Sequence, residues 1–184
     1  MTLDQMKAAL ERAGVAFAPG LSPDEFSAAE ARHGFEFPPD LRSFLAFAMP
    51  VGGKFPDWRD PGSAALADAF AWPLEGLWFD VKQNSLWLQE WGAKPADDAS
   101  AYQRLSELVQ SAPKLIPIYA HRYLPCRPLE EGNPVLSVYQ SDIIYYGLNL
   151  EDYFRNEYFY YFGRQDREIL GEPKPIEFWA SFLG

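Results

Sequence analysis

Cysteine, histidine and positive charge are the scarce components of this chain. Its one cysteine, Cys126, excludes an internal disulfide and suits a reducing compartment, so a cytoplasmic location is expected. The 2 histidines, His33 and His121, come with no HExxH and no paired CxxC, so no metal site is expected. No cofactor is expected either. Against 26 Asp and Glu stand only 16 Lys and Arg, for a formal net charge of −10. Such a surface repels phosphate backbones and anionic lipids, which argues against nucleic acid and membranes as partners. A basic polypeptide would be attracted instead. Long apolar runs are missing as well: none approaches the ~20 residues that span a bilayer. The first helical stretch, Leu3 to Ala13, is broken by Asp4, Lys7, Glu11 and Arg12, unlike a signal peptide.

Apolar and aromatic residues are plentiful. The chain is 48% hydrophobic and 16% aromatic over 184 residues, enough for one domain, 1–184, with a substantial core. Thr2 with Gln5, and Ser22 with Pro23 and Glu25, are capping-box patterns that open two helices, the first stopped at Gly14 and the second at His33-Gly34. Leu21 and Phe26 are placed as a hydrophobic staple. A third helix is expected from Pro39-Asp40, followed by a loop over Pro50 to Pro61 and a short helix over Leu66 to Phe70. From Leu77 to Trp91 the aromatic and β-branched content suggests strands or a hairpin, and Asp98 to Ala112 reads as a helix. Leu115–Tyr119, Pro134–Tyr139 and Ile143–Tyr146 read as strands, Asn149 as the cap of a helix, and Pro175 as the start of a last one. Helices flanking a strand-rich middle, without a βαβ rhythm, indicate an α+β class rather than a doubly wound α/β one.

Catalytic patterns find little purchase. Val51-Gly52-Gly53-Lys54-Phe55 lacks both the first glycine and the hydroxyl of a phosphate loop. Cys126 lies five positions after His121, but a lone cysteine is more often a small apolar filler than a nucleophile. Ser137 lacks a GxSxG elbow. Trp58, Trp72, Trp78, Trp87 and Trp91 invite a glycan reading, with Asp57, Asp80 or Glu90 as acid and base. Rings at this density are more often core and interface material. Trp78 and Trp87, among strand-like neighbours, are expected to be buried, and Trp58, beside Asp57, Arg59 and Asp60, to be exposed. Arg122, in His121-Arg122-Tyr123, either lines a pocket or holds a carboxylate such as Asp142 in a structural pair.

Two stretches carry a family resemblance. Leu21-Ser22-Pro23-Asp24-Glu25-Phe26, with Gly34-Phe35, Phe37-Pro38-Pro39-Asp40-Leu41, Phe44-Leu45 and the later Gly52-Gly53, resembles the amino-terminal signature of the SMI1/KNR4 (SUKH) family. Pro134 to Asp142, Ile143 to Gly147 and Asn149 to Phe154 are similar to that family's late strand pair and closing helix. Leu77 to Val81, Leu115 to Tyr119 and His121 to Tyr123 resemble a bacterial stand-alone branch. The chain departs from the pattern at Phe37-Pro38, in place of Leu-Pro, and in its Trp-rich middle.

The resemblance implies an α+β fold with a central, mostly antiparallel sheet packed by helices, no catalytic residues, and a protein-binding role. Bacterial relatives are linked to immunity against polymorphic or contact-dependent toxins, fungal ones to cell-wall and signalling regulation through partners. The expected function is therefore a non-enzymatic immunity protein that neutralises a toxin by direct binding, with a basic toxin domain as the expected partner. An adapter or regulator binding an endogenous protein is the alternative, and a glycan-binding or carbohydrate-active protein a further one. Asp57, Trp58, Asp60, Glu130 and Glu131 are the expected partner-binding residues.

Overall fold

A computed structural model describes residues 1–183. The first helix, α1 (Leu3–Arg12), and the second, α2 (Pro23–His33), start at Thr2 and Ser22 with both halves of the capping box made. Between them β1 (Ala16–Pro19) runs antiparallel to β2 (Ala48–Val51), a two-stranded ribbon that begins directly where α3 (Pro39–Phe47) ends. Pro50 and Val51, expected in a loop, thus close this ribbon.

The largest departure from expectation is α4, which runs from Ala64 to Gln83. It absorbs the short helix expected at Leu66–Phe70 and the first half, Leu77 to Gln83, of the segment expected to form strands. Past Gln83 only a 3-10 turn, Gln89–Trp91, follows. Proline at position 73 has no amide for the carbonyl of Ala69, four residues back. That carbonyl instead accepts a hydrogen bond from the Tyr123 hydroxyl at 2.8 Å, so the helix continues without an unpaired buried group. The helix α5 (Asp98–Ser111) follows, capped by Asp97.

Strands β3 (Leu115–Tyr119), β4 (Arg122–Pro125), β5 (Val135–Tyr139) and β6 (Asp142–Gly147) form an antiparallel sheet in chain order. The closing helix α6 (Leu150–Glu157) is capped by Asn149. Beyond it, the helix expected at Pro175 is only a 3-10 turn, Trp179–Phe182, although Ile176 and Trp179 do reach the core.

Alternate side chains of a strand face opposite sides of the sheet, and here both sides are covered. Ile116, Leu124, Val135 and Tyr146 join one apolar cluster with α1, α2, α3 and α6. Leu115, Tyr123, Leu136, Val138 and Ile143 join a second with Leu77 and Val81 of α4, Leu105 of α5, and Trp179. The class is α+β, as expected: helices on both faces of an antiparallel sheet.

Candidate functional site: an aromatic and acidic face

The five expected partner-binding residues do not form one surface. Trp58 is a core residue, 2% exposed, with its ring 5.0 Å from Phe37 and 6.1 Å from Phe35. Its polar neighbours hold it there rather than drawing it out. The Arg59 guanidinium reaches Glu25 at 2.8 Å and the carbonyls of Pro19 and Gly20 at 2.7 and 3.1 Å, while Asp57 accepts the Arg59 amide at 3.1 Å. Asp57 and Asp60 are exposed beside an open cleft of about 320 Å3. Glu131 lines another, of about 460 Å3, that shares no residue with the first. Glu130 is tied to Lys174 at 2.6 Å, an internal brace for the C-terminal segment.

The other singled-out groups are likewise in structural use. Arg122 does not pair with Asp142, which is exposed at the β5–β6 turn. It donates to Glu157 at 3.2 Å and Ser137 at 2.8 Å, and it lies 3.7 Å from the Tyr146 ring centre. In register Arg122 sits across from Ser137 and Ile144, two residues short of Asp142, whereas α6 brings Glu157 over it. Cys126 and His121 occupy opposite ends of the extended β4, about 16 Å apart along the strand. Burial raises the Cys126 thiol, the wrong direction for a nucleophile. Asp80 is buried. Burial pushes its carboxyl up, but hydrogen bonds from the Ser141 hydroxyl and amide and from Asn84 outweigh that and leave it lowered. A proton-donating glycosidase acid needs the reverse.

One face remains, and α4 builds it. At 3.6 residues per turn, positions 68, 72, 75 and 79 fall within an arc of about 60°. Asp68, Trp72, Glu75 and Phe79 are all exposed along it. Trp72 is 39% and Phe79 49% exposed, large values for such rings. The neighbouring β5–β6 turn adds Tyr139, 54% exposed, its ring 6.0 Å from that of Trp72, and Asp142 opposite it in register.

This face is rigid for identifiable reasons. Gly76 packs so closely on the turn that a Cβ there would lie 2.9 Å from the Gln140 Cα, and Asp80 grips Ser141 one helical turn on. Trp72 donates its indole N–H to the Val138 carbonyl at 3.0 Å, so the ring is fixed although its outer side meets water. None of Asp68, Glu75 and Asp142 has an ion-pair partner among the described residues. The one base of α4, Lys82, is already engaged with Asp98.

Comparisons with protein-family models, curated proteins and solved structures find no match. The face therefore stands on its own chemistry: three anchored or half-exposed rings alternating with three free carboxylates. The sequence placed Trp72 among the ring-bearing residues but gave Asp68, Glu75 and Phe79 no role, because the strand reading of Leu77 onward hid their helical spacing. Trp78 and Trp87, expected to be buried, are half-buried, Trp78 packing on Tyr102 at 5.2 Å and Trp87 on Trp91 at 5.3 Å.

Proposed function

We propose that this chain is a non-enzymatic domain that binds another protein through the Trp72–Phe79–Tyr139 face, and that it serves as an immunity protein masking a toxin. The observation that carries the reading is the pre-positioned row of exposed rings. Aromatic anchors dominate binding energy at protein interfaces, and a ring already held in place loses little freedom on contact. The resemblance of Leu21–Leu45 and Pro134–Phe154 to the SMI1/KNR4 family supports a binding role. The resemblance implies a mostly antiparallel sheet packed by helices, and the main sheet here is antiparallel. Against catalysis stand the Asp80 carboxylate and the Cys126 thiol, both committed to the fold and shifted away from reactivity. Residence in a reducing cytoplasm is part of the same proposal, resting on the single cysteine. An adapter role would differ only in the identity of the partner.

The test is photocrosslinking in the native cell. The photoreactive residue p-benzoylphenylalanine is placed at Phe79, or at Leu129, an equally exposed position on a different cleft. An adduct with a toxin polypeptide from Phe79 and none from Leu129 is expected. No adduct at Phe79, or equal adducts at both positions, would remove this face as the contact surface.

A further inference from the structure

The alternation of rings and carboxylates constrains the binding partner more narrowly than exposure alone does. Along α4, Asp68 and Glu75 are seven residues apart, as are Trp72 and Phe79. At 1.5 Å per residue, each pair spans about 10.5 Å along the helix axis. A docked helix repeats that spacing with its own residues i and i+7. A docked strand presents same-side residues every ~6.6 Å and falls out of step. Resting on the reading of this face as a protein contact, we infer that its occupant is a basic amphipathic helix of another polypeptide. Its lysines or arginines lie seven residues apart opposite Asp68 and Glu75, and its apolar residues rest on Trp72 and Phe79.

The charge pattern excludes the obvious competitors. A second copy of this chain would bring free carboxylates against free carboxylates, under a net charge of −10 on each copy. An anionic membrane or nucleic acid is repelled for the same reason. A cationic side chain gains twice here, from an unpaired carboxylate and from the face of an adjacent ring. The bound helix also covers Trp72 and Phe79, the two most exposed rings of α4, without having to displace an existing ion pair, since Asp68, Glu75 and Asp142 have none among the described residues.

The experiment sequences the segment crosslinked from Phe79 and titrates it, as a labelled synthetic peptide, into the wild-type protein and the Asp68→Asn/Glu75→Gln double variant. These two carboxylates are exposed and hold no ion pair among the described residues, and circular dichroism confirms that each preparation is folded. A helical segment with Lys or Arg at i and i+7 is expected. Its Kd should rise about tenfold or more in the double variant at low salt, and the difference should shrink as the screening length falls from ~30 Å toward ~3 Å. An acidic or neutral segment, a segment of this same chain, or a Kd indifferent to the double substitution overturns the inference while leaving the protein-contact reading in place. Absence of any crosslink at Phe79 overturns both.

Discussion

The loop before α4 and the helix itself hold the same ingredients, a tryptophan among acids, and put them to opposite use. In the loop, Asp57 and Arg59 are spent on backbone amides, carbonyls and Glu25, which pins a chain lacking regular structure and pushes Trp58 inward as a plug between Phe35 and Phe37. On the helix, the backbone satisfies itself. Asp68 and Glu75 are left without ion-pair partners among the described residues, and Trp72 lies outward with only its indole N–H tied down. Polar neighbours in the sequence thus say little about a ring's exposure. What decides it is whether those neighbours are needed to anchor the backbone that carries the ring.

That contrast breaks most visibly at Trp58. Trp58→Ala opens a cavity in the packed cluster and is expected to cost about 3–5 kcal/mol in denaturant unfolding. Trp72→Ala should cost far less, and equal losses would erase the distinction.

The helix side of the comparison depends next on Asp80, which locks α4 to the β5–β6 turn. Asp80→Asn is expected to lose about 1.5–3 kcal/mol, the range for hydrogen bonds to a charged group. Because this carboxyl is lowered in the folded state, its contribution is complete above the unfolded value of about 3.9 and is lost as pH falls through the folded one. The gap between wild type and variant should be full at pH 7 and narrow below about pH 4. A gap that is constant with pH would show that the charge is not what holds the turn.

Smaller still is the tether of the exposed ring. Trp72→Phe keeps an aromatic side chain but removes the bond to the Val138 carbonyl, for an expected loss of about 1 kcal/mol. The smallest effect is expected at the junction of the two regions, where Ser63 caps α4 through a long 3.4 Å contact to the Leu66 amide. Ser63→Ala should cost about 0.5 kcal/mol, the low end for N-caps. A loss there above that of Trp72→Phe would mean the loop and helix are coupled more tightly than the comparison allows.

Local chemistry made much of the fold legible. The capping boxes at Thr2 and Ser22, the start of α3 at Pro39, the Asn149 cap and three of the four strands of the main sheet all come from residues within a turn or two of one another. What escaped depends on distant partners. Helix α4 tolerates Pro73 because a tyrosine 54 residues from Ala69 takes up the freed carbonyl. Strand β4 was hidden because Arg122, which reads as a polar break, is paid for by Glu157 from α6. Ribbon β1–β2 pairs residues 29 to 35 positions apart, with prolines in both strands. The candidate face was illegible for the first of these reasons: without the helix, the spacing of Asp68, Trp72, Glu75 and Phe79 has no meaning.

Because β3, β4, β5 and β6 pair in chain order, each contact of the main sheet closes only a short stretch of chain. Such local pairing forms early, since loop-closure entropy rises with the length of chain enclosed. A sheet apolar on both faces gains little until those faces are covered, however, and its covers come from outside it in the chain: α4 and α5 on one face, and α1, α2 and α3 together with the later α6 on the other. The Asp80–Ser141 grip, 61 residues long, belongs to that later docking. Folding of this chain should therefore pass through a transition state in which the meander is partly formed and the helix bearing the exposed rings is still settling onto it, so that the face of exposed rings is the last to take shape.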